Sequence, residues 1–295
     1  MTPPAQQQIS YDGPSVSAAV RISPQNYSYM QRYIYEKSGI VLDSDKHYLL
    51  ESRLLPILRQ VNLETLDALC HHLRTERHPV LSRQVVDAMT TNETLFFRDT
   101  AMFEVLRTRI IPSLLERLRG KRRLRIWSAA SSSGQEAYSL AMMLLEMKLN
   151  ACEIEILGTD LSEKMLDKAR DGKYVQFEIN RGLPAPYMVR HFTRDGLDWR
   201  IKDNVRNMVR FEQFDLRENM TPLGMFDLVL CRNVLIYFDQ KTKNAIFDSI
   251  GKILQPGGVL LLGCAESMNV LRSGFERYQA EHTSYYSIGE RQVCN

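Results

Sequence analysis

LRIWSAASSSGQEAYSLAM, residues 124–142, joins a predicted strand to a predicted helix through a turn of small residues. The apolar run at 124–130 is typical of a buried strand, and the spacing after Gly134 is typical of a helix. The small side chains of the turn let the backbone approach a ligand closely. The G-x-G-x-x-G pattern of dinucleotide folds is missing here, and an acid, Glu136, follows the turn. The stretch therefore favours a ligand without phosphates, even a cationic one, although a capping role for Glu136 is the alternative.

Strands and helices alternate on the carboxyl-terminal side of this stretch. Helices are predicted at 162–172 and 242–254, and strands at 154–160, 208–211, 226–233, 257–266 and 282–288. Such alternation predicts an α/β fold with a mostly parallel sheet. Because ligands bind at the carboxyl ends of the strands in such sheets, residues that directly follow a strand are candidate site residues.

Two strand ends carry candidate site residues. Asp160 lies 24 positions after Glu136, near the spacing at which an acid accepts hydrogen bonds from ribose hydroxyls. Capping of the next helix by Asp160 or Ser162 is the alternative, and both roles can coexist. After the strand at 226–233, Asn233 and Tyr237 place an amide and a hydroxyl in an apolar run. An aromatic helix start that only packs is the alternative there.

The sequence before residue 91 predicts helices. Apolar residues recur at helical spacing from residue 24 to residue 89. The pair Asp43–Ser44 and Asn62 are predicted helix caps, and Pro79 suits the first turn of a further helix. Residues 1–22 are rich in Pro, Gln and Ser and predict a flexible extension.

Composition and charge limit the classes of function that we expect. A net charge of +3 over 295 residues is too small to indicate nucleic acid as a partner. No apolar run approaches the roughly 20 residues that span a bilayer, and no signal peptide is visible, so we expect a cytoplasmic protein that is not inserted in a membrane. The five cysteines form no C-x-x-C pair and have no histidine at metal-ligand spacing. We therefore expect neither disulfides nor a metal site.

Three blocks together resemble a known family: NETLFFRD (92–99), WSAASSSGQEAYSLAM (127–142) and CRNVLIYFD (231–239). They resemble the CheR family of bacterial chemotaxis receptor methyltransferases over about residues 24–290. The resemblance implies the α/β class I methyltransferase (Rossmann-like) fold, with a mostly parallel seven-stranded sheet whose last strand is antiparallel. It also implies an N-terminal all-α domain and a small antiparallel β-subdomain. The expected divisions are 1–22 (extension), 23–90 (helical domain), 91–123 (linker and connecting helix) and 124–295 (methyltransferase domain, with the β-subdomain at about 188–212).

The resemblance implies that S-adenosylmethionine is the cofactor and S-adenosylhomocysteine the product, with no metal. The implied activity is methyl esterification of specific glutamates on cytoplasmic helices of chemoreceptors. Arg98 and Tyr237 are the implied catalytic residues, nearest the transferred methyl. Asp160 is expected on the ribose, and Asp215 and Leu216 beside the adenine, although the family often has Asn at the position of Asp215. The full implied cofactor set is Asn92, Thr94, Arg98, Glu136, Asp160, Asp215, Leu216, Asn233 and Val234.

The segment TTNETLFFRD, residues 91–100, gains a role from this resemblance. Its polar residues are expected to face the cofactor from the N-terminal side. Phe96 and Phe97 are expected to anchor the segment in apolar surface, so that Arg98 is held in place.

The resemblance also implies how the receptor is recognised. Lys46, Arg53 and Arg59, on one predicted helix, are expected to meet acidic receptor helices, with a solvated helix face as the alternative. The basic run at 117–125 is a second candidate, for which a solvated connector is favoured. The turn Thr193–Leu197 is short and has one glycine, which favours a member that does not depend on a tethering peptide at the receptor's end. We expect a monomer, recruited to membrane-associated receptor arrays.

Two alternatives to glutamate methylation stay open. One is a methyltransferase of the same fold that acts on nucleic acid or a small molecule, for which we find no aromatic stacking platform. The other is a non-catalytic regulator that retains the cofactor site. A nicotinamide dehydrogenase is excluded by the missing glycine fingerprint.

Overall fold

A computed structural model describes residues 22–75, 78–118, 123–149, 152–268 and 274–289. The expected extension at 1–22, apart from Ile22, and the middle of the basic run at 117–125 lie outside these residues. The chain divides into two compact units. Unit 1 comprises Met1–Glu36 and Leu42–Met89, and unit 2 comprises Lys37–Val41 and Thr90–Asn295. The short segment Lys37–Val41 thus belongs with the α/β part of the chain.

Unit 1 is helical in its described part. Its helices are α1 (Pro24–Ser38, whose last two residues belong to unit 2), α2 (His47–Gln60), α3 (Leu66–Thr75) and α4 (Pro79–Met89). Each of α2, α3 and α4 buries one apolar face, and on α2 that face holds Leu50, Leu54, Ile57 and Leu58. Pro79 is the first residue of α4, where an N–H would have no partner within the helix, so proline loses no hydrogen bond there.

Both predicted caps in unit 1 are wrong. Lys46 is the N-cap of α2 and makes no capping bond with its side chain. Asp43 instead forms a turn, in which its carbonyl accepts from the N–H of Lys46 and from the hydroxyl of Tyr27. At α3 the side chain of Thr65 accepts from the N–H of Ala68 at 3.0 Å. The presence of a capping residue type in the sequence does not determine which side chain accepts from the free N–H groups of the helix.

The expected connecting helix is present in unit 2, but it is distorted after its first turns. Asp99, at φ 73°, caps α5 (Thr100–Val105) by accepting from the N–H of Met102 at 3.4 Å. The helix continues through a π-helical turn, Leu106–Ile110, into α6 (Ile111–Arg117). Pro112 has no N–H to donate into the preceding turn, which explains a change of hydrogen-bond pattern at this place.

The large sheet of unit 2 has seven strands in the order β6-β2-β1-β7-β8-β10-β9. Among the described residues of this sheet, β10 alone is antiparallel to the other six strands, so the predicted fold is confirmed. The strands are β1 (Arg123–Ala129), β2 (Glu153–Asp160), β6 (Val209–Gln213), β7 (Phe226–Cys231), β8 (Leu254–Leu262), β9 (Phe275–Ala280) and β10 (Thr283–Ile288). The helices around the two sheets are α7 (Gln135–Glu146), α8 (Glu163–Asp171), α9 (Gln176–Asn180), α10 (Ala185–His191), α11 (Asp203–Arg206) and α12 (Gln240–Ile253).

Side chains alternate between two apolar cores, one on each face of the large sheet. Along β1, Leu124 and Ile126 belong to one core, whereas Trp127 and Ala129 belong to the other. Because residues 126–129 of β1 are all buried between two neighbouring strands and both cores, the carboxyl end of β1 is a rigid base for the turn that follows.

The small antiparallel sheet is present, but its boundaries differ from those predicted. It consists of β3 (Lys173–Tyr174), β5 (Asp198–Ile201) and β4 (Phe192–Asp195), in that order. It therefore starts before residue 188, and the residues at 209–213 pair with β2 in the large sheet instead. The strand β3 is only two residues long, too short to give a period-2 pattern.

Candidate active site

A cleft of about 930 Å³, part of it open to solvent, lies at the carboxyl edge of the large sheet. Its wall is built from the turns after β1, β2, β6 and β7, together with the segment 90–98. Ser38 and Ile40, from the short unit 2 segment Lys37–Val41, complete the wall. All ten residues expected at the cofactor and the transferred methyl line this one cleft: Asn92, Thr94, Arg98, Glu136, Asp160, Asp215, Leu216, Asn233, Val234 and Tyr237.

The turn after β1 is held by the end of β2. Asp160, the last residue of β2, accepts the N–H of Ser132 at 2.8 Å and the N–H of Ser162 at 2.9 Å. Ser132 itself has φ 49°, and its hydroxyl donates to the carbonyl of Asn92 at 2.9 Å. Ser162, and not Asp160, caps α8. Asp160 thus fixes a strained turn while its carboxylate lines the cleft.

A nearly buried ion pair lies at the floor of the cleft. Glu136 accepts from the hydroxyl of Ser128 and from the guanidinium of Arg232, both at 2.8 Å. Arg232 also donates to the carbonyl of Arg98 at 3.2 Å and lies 3.5 Å from the carboxylate of Asp99. The predicted capping alternative for Glu136 is wrong, because Glu136 joins the strand β1 to the turn after β7. Arg232 connects both to the segment that carries Arg98.

The segment TTNETLFFRD is anchored by its aromatic residues, as predicted. Phe96 is fully buried and makes edge contacts with Tyr174 and Phe192 at centroid distances of 5.0 and 5.5 Å. Phe97 has φ 48°, and its N–H donates to the hydroxyl of Ser139 at 2.9 Å. Arg98 is half-buried, lines the cleft and donates to the carbonyl of Glu93 at 3.3 Å.

The wall after β6 is apolar apart from one carboxylate. Phe214 packs edge-on against Trp127 at 6.2 Å, and Leu216 is buried. Asp215 lines the cleft, but its carboxylate is held by the guanidinium of Arg217, with a shortest distance of 2.6 Å. The backbone and neighbouring apolar groups of this turn are thus better placed than the Asp215 carboxylate to meet a flat ring.

The turn after β7 is held by Glu266, a residue that the sequence did not indicate. Asn233 has φ 58°, and the N–H groups of Asn233, Val234 and Leu235 all donate to the carboxylate of Glu266. Cys231, one residue before the turn's Arg232, is fully buried, which raises the pKa of its thiol well above the usual value and makes it a poor nucleophile. The carbonyl of Tyr237 accepts from the N–H of Val41 at 2.9 Å.

The predicted receptor-binding residues belong to unit 1 and line no part of the cleft described here. Lys46 precedes α2, so it is not on the helix face proposed for it. The guanidinium of Arg53 donates to the carbonyl of Met89 at 2.7 Å, so that one of its nitrogens serves to cap α4. Arg59 is in the last turn of α2 and is exposed.

Comparisons with known proteins agree with this geometry. Residues 92–284 match the family model described as CheR methyltransferase, SAM binding domain, and residues 25–90 match that of the CheR methyltransferase all-alpha domain. Chemotaxis protein methyltransferase 1 of Vibrio cholerae is 41% identical over 276 residues, covering 92% of this chain and 99% of that protein. Chemotaxis protein methyltransferase 1 of Pseudomonas aeruginosa is 44% identical over 255 residues, covering 84% of this chain and 92% of that protein.

These matches cover both the helical segment and the α/β part that bears the cleft. Among the described residues, no helix is long and apolar enough to cross a membrane. The chain belongs to the CheR family of S-adenosylmethionine-binding chemotaxis methyltransferases.

Proposed function

We propose that the chain methylates specific glutamate side chains on the cytoplasmic helices of chemoreceptors, giving glutamate methyl ester and S-adenosylhomocysteine. The observation that carries this proposal is that Arg98 and Tyr237 line the same cleft as Asp160 and Asn233. The implied methyl-end groups and the implied cofactor-binding groups therefore belong to one site of unit 2.

The lining of the cleft suits S-adenosylmethionine. The residues that line it include four acids, Glu93, Glu136, Asp160 and Asp215, and two arginines, Arg98 and Arg232. Three of the acids are ion-paired, Glu93 with Arg181, Glu136 with Arg232 and Asp215 with Arg217, whereas the Asp160 carboxylate at the end of β2 is the acid we assign to the cationic, hydroxyl-bearing cofactor. We assign Asp160 to the ribose hydroxyls and the apolar turn around Leu216 to the adenine.

When bound, S-adenosylmethionine supplies an electrophilic methyl group on a positively charged sulfur. A surface glutamate has a pKa of about 4.3, so its carboxylate is already the nucleophile at neutral pH and no general base is needed. Arg98 holds one oxygen of this carboxylate while the other faces the methyl, and the hydroxyl of Tyr237 shares that task. The site thereby supplies alignment at about 3–3.5 Å and exclusion of water.

Arg98 is suited to positioning rather than to full neutralisation of the glutamate. Its guanidinium already donates to the carbonyl of Glu93, so part of its donor set holds the side chain in place. A pair that used all five donors on the substrate would lower the nucleophilicity of the carboxylate.

Recognition of the receptor is assigned to unit 1. Lys46 and Arg59 are the better candidates to meet acidic receptor helices, because Arg53 donates to the end of α4. We further propose that the enzyme is a cytoplasmic monomer, recruited to receptor arrays without a tethering pentapeptide. Immobilised receptor C-terminal peptide that retained the protein would contradict the last point.

The activity is tested with methyl-tritiated S-adenosylmethionine and receptor-rich membranes. We expect label on the receptor that mild base releases as volatile methanol, and at least tenfold less label with the Arg98→Ala variant. Label that survives base treatment would indicate methylation of nitrogen and would refute ester formation. Cofactor binding without any receptor label would favour the regulator alternative.

A further inference from the structure

Glu266 lies four residues beyond the end of β8, and both oxygens of its carboxylate accept hydrogen bonds from the turn after β7. One carboxylate oxygen accepts from the N–H groups of Asn233 at 2.7 Å and Gly263 at 2.8 Å. The other oxygen accepts from Val234 at 3.0 Å and Leu235 at 2.8 Å. Four backbone N–H groups therefore converge on a single carboxylate.

Three of these donors are consecutive in sequence. Successive N–H groups that point to one side of a turn form an anion-binding concavity, which in other proteins holds phosphate. Here Asn233, at φ 58°, gives the turn that shape, and the chain fills it with its own carboxylate. The Glu266 carboxylate therefore occupies the concavity, while Asn233 and Val234 of the same turn line the cleft.

Gly263 supports the same arrangement independently. A Cβ atom at this position would lie 2.7 Å from the carboxylate of Glu266, 2.8 Å from the side-chain nitrogen of Asn233 and 3.0 Å from its backbone nitrogen. Glu266 also closes a turn by donating its N–H to the carbonyl of Gly263 at 2.9 Å. The backbone between β8 and Glu266 therefore fits closely against the turn after β7.

The turn held in this way carries three groups of the site. Asn233 and Val234 line the cleft, and Tyr237 follows two residues after the last donor, Leu235. Among the described residues, the lining of the cleft does not include Glu266 itself.

We propose that Glu266 is a positioning residue for methyl transfer: its carboxylate sets the turn at 233–235, and through it the cofactor contacts of Asn233 and Val234 and the place of Tyr237. This inference rests on the proposed function for the role of Tyr237, and on the cofactor-binding cleft alone for the other two residues.

The test compares Glu266→Gln, Glu266→Asp and the wild-type chain. Glutamine keeps the size of the side chain but turns one acceptor into an NH₂ group, which faces two backbone donors. We expect Glu266→Gln to weaken S-adenosylhomocysteine binding roughly tenfold in calorimetry, because the displaced turn misplaces the contacts of Asn233 and Val234. We expect kcat to fall by a further factor of about 10 to 100, because Tyr237 is displaced. Glu266→Asp, which keeps the charge but is shorter, is expected to retain more binding than glutamine.

Asp227→Asn is the matched control. Like Glu266, Asp227 accepts a backbone N–H, that of Arg125, at 2.9 Å, but it is buried at the amino end of β7, away from the cleft. We expect this variant to lose thermal stability and to keep its affinity for S-adenosylhomocysteine. Hydrogen exchange adds a readout of the turn: the amides of 233–235 should exchange faster in Glu266→Gln and unchanged in Asp227→Asn.

The possible outcomes separate this inference from the proposed function. The positioning role would be overturned if Glu266→Gln kept wild-type affinity and turnover. It would also be overturned if Asp227→Asn lost as much cofactor affinity as Glu266→Gln, or if Glu266→Gln bound the cofactor more tightly than Glu266→Asp. A Glu266→Gln protein that does not fold would overturn it too, since the proposal gives the carboxylate a local task. A wild-type chain that binds S-adenosylhomocysteine but methylates no receptor would instead refute the proposed function and leave the calorimetric test valid.

Discussion

Replacing Arg232 by methionine should destabilise unit 2 strongly, because Glu136 would keep its charge in a nearly buried place. The side chain of Arg232 is 3% exposed and that of Glu136 is 13% exposed, with 2.8 Å between them. Removing one partner of such a pair typically costs about 3–5 kcal/mol. The Nε atom of Arg232 has no hydrogen-bond partner among the described residues, and this existing penalty favours the lower end, about 3 kcal/mol.

The assay is urea unfolding followed by tryptophan fluorescence at 25 °C. Trp127 and Trp199, the two tryptophans of the chain, both belong to unit 2, so the signal reports that unit. Arg107→Met is the matched control, because Arg107 pairs with Glu104 at 2.5 Å but its side chain is 49% exposed. That loss should be far smaller than the loss from Arg232→Met, because water and salt screen an exposed pair.

A double-mutant cycle with Glu136→Gln separates charge from packing. Once Glu136 is neutral, the loss of Arg232 leaves no buried charge, so the double variant should be at least about 1 kcal/mol more stable than the sum of both single losses predicts. A single loss equal to that of the Arg107 control, or strict additivity in the cycle, would refute the view that this pair holds the floor of the cleft.

Three further predictions concern catalysis, pH and the backbone. Arg98→Ala and Tyr237→Phe should lower kcat by about 10- to 100-fold while changing cofactor affinity less than threefold, as measured by steady-state kinetics and calorimetry; lost affinity at unchanged kcat would contradict a positioning role. Burial lowers the pKa of His191 below its ordinary 6.5 despite the nearby Glu146 carboxylate, so the unfolded chain binds the proton more readily. The stability that His191 contributes is therefore complete above pH 6.5 and is lost as pH falls through its lowered folded-state pKa, and the slope of melting temperature against pH should shrink in His191→Gln. Gly182→Ala should destabilise the protein by well over 1 kcal/mol in urea unfolding, because φ is 92° and the new Cβ would lie 2.1 Å from the carbonyl oxygen of Phe96. The control Gly196→Ala, at φ 64° with open space around it, should lose only about 1 kcal/mol, and equal losses would rule out the predicted clash.

The strong periodic signals explain why the fold was predictable. The buried strand β7 is apolar at all but one position and β1 at four of seven, and each is followed by polar residues that meet at one sheet edge. The short β3 and the caps of unit 1 were not predictable, because two residues give no period and several nearby polar residues could cap equally well. The caps that form are decided by tertiary contacts such as that of Tyr27 with Asp43.

The sequence allowed us to predict the site residues that directly follow a strand and face the cleft. It did not allow us to predict residues that support those side chains without lining the cleft. Ser38, the last residue of α1, and Ile40 line the wall, and the backbone bond of Val41 to Tyr237 joins their segment to the turn after β7. Glu266 carries no signal in sequence beyond its place shortly after a buried strand. Its role depends on the φ of Asn233, which a single sequence does not reveal.

The most direct test of the central claim is peptide mapping by mass spectrometry of a chemoreceptor cytoplasmic fragment after incubation with S-adenosylmethionine and the enzyme. We predict one added methyl group on glutamate side chains of the receptor helices, removable by mild base and strongly reduced with Tyr237→Phe. Methyl groups on other residue types, or an unmodified fragment in the presence of an enzyme that binds the cofactor, would contradict the account.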